Sequence, residues 1–408
     1  MDNKNYLIEV LKACAYFAGA EVFFRMTHGN IGYEAGKYLV ILFSFIGLFY
    51  MGISNKAYPY LLYLLLLIPP IFVASTTLRF DANFRTNIFF VLSGPVCLGI
   101  ASLFTYGKTI KLKQMLDILW FMVLPIISMT VYLILYTPSL KDVLDSTSSN
   151  VDASGGFGPN QVSTFLGLGV VILAMYFFLK PANYIKKLFY LVLMIAIGYR
   201  GLVTLSRGGI IAAIITIAVF LIGYLMFVNT KKRNKLSGLI IFFMGAVFCT
   251  WLLSSVLSGG YVDLRYSNKD HLGREKSDVS TGRVELFVDE IEGFIHNPFL
   301  GIGISRAKDS RIEEKGQGVI SHNEISRILS EHGILGIIIL GILIFKPLAL
   351  RGGNKSNIFF YAFLAFWFAT INHSGMRTAL PAFIYALALL KIDHEKKRPL
   401  SRKQLIKQ

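Results

Sequence analysis

Apolar residues along this chain run in long blocks separated by short polar connectors. A helix needs about 20 mostly apolar residues to cross the hydrocarbon core of a bilayer. Blocks of that kind predict about twelve spans, near residues 6–24, 37–53, 57–75, 88–106, 115–136, 160–179, 184–203, 209–228, 237–257, 333–350, 356–372 and 376–391. Glu9, Lys12 and Glu21 interrupt the first. No small-residue cleavage site follows a compact apolar run there, so this segment is expected to be retained rather than removed as a signal peptide.

The pattern is broken once, by a polar stretch over residues 258–330. The expected organisation is therefore spans one to nine in 1–257, a large outer loop in 258–330, three further spans in 331–392 and a basic tail in 393–408. Within the polar stretch, Val284, Phe287, Val288, Ile291 and Ile295 recur at helical spacing and predict an amphipathic helix from Arg283, suited to lying on the membrane face. Asn297-Pro298 ends it and Gly301-Ile302-Gly303 predicts a tight turn. Tyr261 to Ser280 and Lys308 to Gly318 are charged and interrupted by Gly and Ser, so both are expected as loop.

Composition agrees with a membrane protein. Of 408 residues, 54% are hydrophobic and 16% charged, and mean hydropathy is +0.57. A globular domain carries about a quarter charged residues, so a soluble chain, a disordered chain and a coiled coil are all excluded. Cys14, Cys97 and Cys249 sit in apolar stretches without metal-ligand or redox spacing. The fold class is all-α and polytopic.

Net charge is +17, but the stretch from Ser258 to Glu331 carries ten Lys/Arg against thirteen Asp/Glu, leaving +20 for the rest. A basic protein whose one large polar segment is acidic is a poor nucleic-acid binder. The excess falls instead in alternate short connectors: Lys56, then Lys108, Lys111 and Lys113, then Lys180, Lys186 and Lys187, then Lys231 to Lys235, then Lys346, Arg351 and Lys355. That alternation predicts both termini on the cytoplasmic side. The opposite connectors hold arginine: Arg25, Arg79, Arg85, Arg200, Arg207 and Arg377. Topology does not require this chemical split. A guanidinium grips phosphate oxygens through a planar fork, whereas an ammonium acts as a point charge. The outer arginines therefore predict a site for a phosphorylated ligand on that face, against the alternative that each snorkels to lipid headgroups.

The sharpest local motif is Ser321-His322-Asn323-Glu324, which reads as a capping box with Ser321 at the N-cap and Glu324 three residues on. His322 would then open a helix, where the positive end favours a neutral imidazole suited to general-base work. Asn323 stands beside it as a secondary candidate. Thr204-Leu205-Ser206-Arg207-Gly208-Gly209 forms a span boundary whose glycines permit close approach of a backbone or ligand. Gly156-Phe157-Gly158-Pro159-Asn160-Gln161 reads as a helix start bearing a polar pair. His373 and Arg377 share the connector between the last two spans. The chain has no Walker or dinucleotide fingerprint, no HExxH and no DxD-like outward acid pair; Asp289 and Glu290 are adjacent on a helix and face apart. Chemistry without metal or cofactor is expected.

Taken in order, Ser206-Arg207-Gly208, Thr281-Gly282-Arg283, His296-Asn297-Pro298-Phe299-Leu300-Gly301-Ile302-Gly303, and Ser321-His322-Asn323-Glu324 running into Ser330-Glu331-His332-Gly333-Ile334-Leu335-Gly336 resemble the O-antigen ligase and O-antigen polymerase superfamily. The motif-bearing part covers residues 156–336; the first half matches only in its hydrophobic topology. The resemblance implies a GT-C-like glycosyltransferase of the bacterial inner membrane. Its donor would be an undecaprenyl-pyrophosphate-linked glycan on the periplasmic side, and its acceptor lipid A–core or another glycan. Arg207 and Arg283 match arginines thought to hold the pyrophosphate, and His322 matches the histidine proposed to activate the acceptor hydroxyl. Arg200 joins the first group by position, and Arg85, Arg306, Arg377, Asn160 and Asn323 are secondary candidates. The His-Asn-Glu run and Arg377 resemble ligases more than polymerases, but most motifs are shared. A transporter of lipid-linked sugars is the competing class. It would be expected to show internal repeats and coupling acids, whereas no repeat is visible and Glu9, Glu21 and Asp117 are the only intramembrane acids.

Overall fold

The computed structural model describes residues 3–29, 32–138, 143–180, 183–228, 230–276, 280, 282–316, 318–353, 355 and 357–393; Thr281 and the basic tail beyond Asp393 lie outside them. In chain order the helices are α1 (Asn3–Met26), α2 (Ala35–Met51), α3 (Tyr58–Leu66), α4 (Pro69–Thr77), α5 (Phe84–Thr105) and α6 (Leu112–Tyr136). Then come α7 (Pro159–Leu179), α8 (Tyr184–Val203), α9 (Arg207–Phe227), α10 (Thr230–Leu257), α11 (Tyr261–Tyr266) and α12 (Arg283–His296). The last five are α13 (Arg306–Lys315), α14 (Glu324–His332), α15 (Ile334–Gly352), α16 (Phe360–Ile371) and α17 (Ala379–Ala388). Every apolar block of the sequence lies on helix. The third is broken into α3 and α4 at Pro69-Pro70, because proline removes a backbone donor and its ring crowds the preceding turn.

Among the described residues, seven helical segments are long and apolar enough to cross a membrane: Tyr58–Thr77, Phe84–Thr105, Leu112–Tyr136, Pro159–Leu179, Arg207–Phe227, Leu236–Leu257 and Ile334–Gly352. The chain is an all-α polytopic membrane protein. α7 is the central strut, with Phe165, Leu168, Ile172 and Phe177 fully buried, and it packs on α8 and α9. The α7–α9 crossing is tight because both helices place glycine at it. A Cβ on Gly167 would stand 2.6 Å from the Gly209 carbonyl oxygen, and one on Gly209 would stand 2.3 Å from the Ser163 carbonyl carbon. Small residues let spanning helices touch through their backbones where apolar solvent offers little other driving force. Outer faces are apolar, as lipid contact requires: Phe72, Ile214, Phe248 and Phe345 are all exposed.

The two ends of the bundle differ in chemistry. At one, β1 (Thr109–Lys111) pairs in parallel with β2 (Lys391–Asp393). Lys108 there donates to the Met51 and Gly52 carbonyls, and Lys346 lies over Tyr106. At the other end lie α11 to α14 and the arginines Arg79, Arg207, Arg283 and Arg377. Arg79 pairs with Asp309 at 3.0 Å, and Arg377 donates to the Ser321 carbonyl at 2.6 Å.

Two expectations for the polar segment are corrected. Lys308 to Gly318 is largely helix, inside α13, because its charges close on one another. Arg306 pairs with Asp309 and Glu313, and Gly316 ends the helix in the left-handed conformation. Tyr261 to Ser280 begins with the short helix α11 and continues in a turn held by Arg274 and Asp270. The amphipathic helix exists as α12, and the residue it buries is the acidic Glu290. Glu290 is inside, bonded to Arg311, Ser321 and Ser326, while Val284, Phe287, Val288 and Ile295 are exposed. One face thus docks onto the protein through an ion pair and leaves an apolar face outward.

Candidate active site

The connection from α8 to α9 is a strained turn that sets the position of Arg207. Leu205 is fully buried at φ 55°, a left-handed conformation uncommon for a side chain with a Cβ. Its surroundings hold it there. The Ser206 amide donates to Thr204 Oγ1, Asn150 N donates to the Thr204 carbonyl at 3.0 Å, and Arg265 Nε donates to the Leu205 carbonyl at 2.8 Å. Ser206 Oγ donates to Asn160 Oδ1 at 2.7 Å, tying the turn to the start of α7. Arg207 is then the first residue of α9.

This turn forms one wall of a cavity of about 630 Å³, lined by Ser148, Ser149, Asn160, Arg207, Gly208, Ile211, Ala212, Ile215, Arg265, Ser280, Arg283, His322, Ala369 and His373. None of these lining residues is acidic. Three of them are arginines from separate elements, and Arg207 lowers both of the others. Burial first, then Arg207, pushes Arg265 down to about 10; Arg283 is lowered for the same two reasons, in that order. Guanidinium groups brought this close, with no acidic residue in the lining among the described residues, favour the entry of an anion. Beyond Arg207 the wall turns apolar, with Ile211, Ala212 and Ile215 on α9 and Ala369 on α16. Ile211 and Ile215 are also exposed on the outer side of the bundle. A ligand with an anionic head and a hydrocarbon tail fits both parts.

His322 enters this cavity in a setting the sequence did not foretell. The N-cap of α14 is Asn323, whose side chain accepts from Ile325 N at 2.9 Å and Ser326 N at 3.2 Å. Ser321 does not cap, because its hydroxyl is turned to Glu290 Oε2, and Glu324 is the first helical residue rather than the third. His322 therefore precedes the helix instead of opening it. Glu324 forms an ion pair with Arg327 and accepts from Met376 N, which fastens α14 to the last connector. Replacing the cap, Asn323→Ala, should lower stability by about 1 kcal/mol, read as a fall in detergent melting temperature. Asp at the same position should restore it.

The neutrality expected of His322 arises from other causes. Burial, then Arg377 and Arg283, hold it down to about 4, so the imidazole is uncharged at neutral pH. Its Nδ1 is buried, and no described residue bonds it.

Of the residues singled out in the sequence, Asn160, Arg207, Arg283 and His322 meet around the one cavity. Arg200 does not. It is buried away from the cavity, donating to Thr137 Oγ1 at 3.0 Å and to the Ala153 carbonyl at 2.8 Å, and so ties α8 to the α6–α7 connection. Arg85 is exposed on α5. Arg306 borders a second cavity of about 430 Å³ between α4, α12 and α13, with its guanidinium committed to Asp309 and Glu313. Arg377 and Asn323 act from behind the wall. The first donates to the Ile320 and Ser321 carbonyls just before His322; the second caps α14 and donates to Asn372 Oδ1 at 3.1 Å. Arg265 and His373 were missed. Arg265 is hidden in a stretch read as loop, and His373 was visible only as a neighbour of Arg377.

Residues 189–341 match the family model described as O-antigen ligase. The resemblance to the O-antigen ligase and polymerase superfamily is thereby shown over that segment. It contains the α8–α9 turn, the whole polar segment and α14, hence Arg207, Arg265, Arg283 and His322; Asn160, His373 and Arg377 lie outside it. No curated protein matches the chain. The family supports a glycosyltransferase-like role in O-antigen assembly, with lipid-linked glycans as the substrate class.

Proposed function

We propose that the protein transfers a glycan from undecaprenyl pyrophosphate to an acceptor hydroxyl, on the periplasmic face of the bacterial inner membrane, with inversion and without a metal. The observation that carries this reading is a cavity with three arginines, no acidic residue in its lining among the described residues, and a neutral histidine at its edge, continuing into an apolar wall. Arg207, Arg283 and Arg265 would hold the pyrophosphate while the polyprenyl tail follows α9 toward lipid. The His322 imidazole would take the proton from the acceptor hydroxyl as its oxygen attacks the anomeric carbon. The bond from that carbon to the phosphate oxygen breaks, and the pyrophosphate leaves with the electron pair. Fixed guanidinium groups aimed at this developing charge lower the barrier. In this reading residues 258–330 form a partly helical outer domain between the ninth and tenth of about twelve spans, with 1–257 and 331–392 as the membrane parts and both termini cytoplasmic.

The acceptor separates two forms of the reaction. Lipid A–core makes the protein a ligase, as the motif resemblance favours, and a growing glycan makes it a polymerase. Deleting the gene and resolving surface glycans on a gel distinguishes them. A ladder left on the lipid carrier beside bare lipid A–core identifies a ligase, and core bearing a single repeat identifies a polymerase. An unchanged profile would count against transfer and favour a transporter.

A further inference from the structure

The apolar face of α12 has no part in the reaction as drawn above. Val284, Phe287, Val288 and Ile295 on the helix, and Phe299 and Leu300 just after it, are between 41% and 75% exposed. An apolar stripe of this kind on a polar segment marks an interface. Both ends of the helix lie where spans begin. Arg283, its first residue, lines the main cavity with Arg207, the first residue of the span Arg207–Phe227. Past its other end, the Pro298 carbonyl accepts at 2.7 Å from the amide of Ile334, the first residue of the span Ile334–Gly352. The chain then runs deeper. Ile304 N donates to the Pro70 carbonyl and Thr77 Oγ1 to the Ile302 carbonyl, both within the span Tyr58–Thr77. A helix of 14 residues is about 21 Å long. With both ends at the level of span starts, it lies along the membrane boundary rather than standing above it.

The spans at its two ends turn apolar side chains outward at the same level: Ile211 and Ile215 in the first turns of α9, and Ile334, Ile337 and Ile338 in those of α15, are all exposed. The stripe on α12 therefore continues the lipid-facing surface of the bundle. The charge of the helix decides what kind of attraction it can use. Glu285, Asp289, Glu290 and Glu292 stand against the single Arg283, the reverse of the basic helices that are drawn to anionic lipid. We propose that α12 is an interfacial helix whose apolar face enters the leaflet at the arginine-rich end of the bundle, held by hydrocarbon burial and not by headgroup charge. Arg283, at the head of this helix, is thereby kept at the depth of the lipid headgroups. The seating of α12 does not depend on what the cavity binds.

The test uses the full chain carrying Cys249→Ser, since Cys249 is exposed whereas Cys14 and Cys97 are fully buried and stay unlabelled. Val284→Cys, Val288→Cys and Ile295→Cys each place an environment-sensitive fluorophore on the apolar stripe. Glu292→Cys and His296→Cys place it on the polar side, which is also exposed. Each variant is measured in phosphatidylcholine nanodiscs containing a lipid with a nitroxide high on its acyl chain. Quenching is expected to be about threefold stronger on the stripe than on the polar side, as entry of one face by ~5–10 Å into the headgroup–acyl boundary requires. The contrast should persist in raised salt and when phosphatidylglycerol replaces part of the phosphatidylcholine. Equal quenching at all five positions, or water-like emission from the stripe, would overturn the proposal. So would a contrast that needs phosphatidylglycerol and vanishes in salt, which would make the contact electrostatic. A stripe shielded from water yet not quenched, with two copies cross-linked through Val288→Cys, would assign the face to a second copy of this chain and overturn the proposal as well.

Discussion

Replacing His322 by alanine should reduce glycan transfer by 10²–10⁴-fold, the usual contribution of a positioned general base, while affinity for the lipid-linked donor stays within about twofold. The separation is expected because the arginines that would grip the donor stand on α9, α11 and α12, none of which depends on the imidazole. The pH profile gives an independent check. His322 is depressed to about 4 by burial first, then by Arg377 and Arg283. A base works when deprotonated, so kcat/KM should be flat across neutral pH and fall only as pH drops toward 4, well below the ordinary histidine range near 6.5. Donor binding should change this. A pyrophosphate seated on Arg283 cancels part of the positive field that disfavours the imidazolium, so the acid limb of kcat should lie higher than that of kcat/KM. His322 becomes a stronger base once the leaving group is in place. An acid limb near 6.5 in both profiles, or transfer at the normal rate in His322→Ala, would assign the proton to another group.

Much of the bundle was legible because each apolar block announces its own helix, and residues 3–393 contain helices at all the expected places. The polar segment was harder, since its order comes from pairings that cross elements. Arg79 reaches Asp309 and Arg311 reaches Glu290, and neither distance along the chain is encoded in local spacing. The misread cap has the same origin. Ser321 fits the local rule, but Glu290 on α12 claims its hydroxyl and leaves the cap to Asn323. Among the candidate residues, those at element starts, Asn160, Arg207, Arg283 and His322, converge as a set. Arg200 fits the same pattern of type and side, yet a carbonyl and a threonine hydroxyl occupy it. Residue type and membrane side do not reveal which arginines face a cavity; only packing does. Arg265 and His373 show the converse, being set in the cavity by tertiary contacts that no local motif marks.

Arg207→Lys should lower transfer by about 10²-fold although the charge is kept, a loss of roughly 2.7 kcal/mol at the transition state. An ammonium carries the same charge but cannot place two parallel donors on a pair of phosphate oxygens, and its shorter, more strongly hydrated head must be dried to enter the cavity. The position leaves little freedom to compensate. Arg207 follows a buried left-handed Leu205, and Gly208 beside it is pinned against the ring of His373. The loss should fall mainly on kcat, since the leaving pyrophosphate carries more charge in the transition state than in the bound donor. Arg265→Lys and Arg283→Lys should each cost less when made in Arg207→Lys than in the parent, because the three act on one anion. Strict additivity across the three, or full activity in Arg207→Lys, would reduce Arg207 to an anchor at the membrane surface and move the anion site elsewhere.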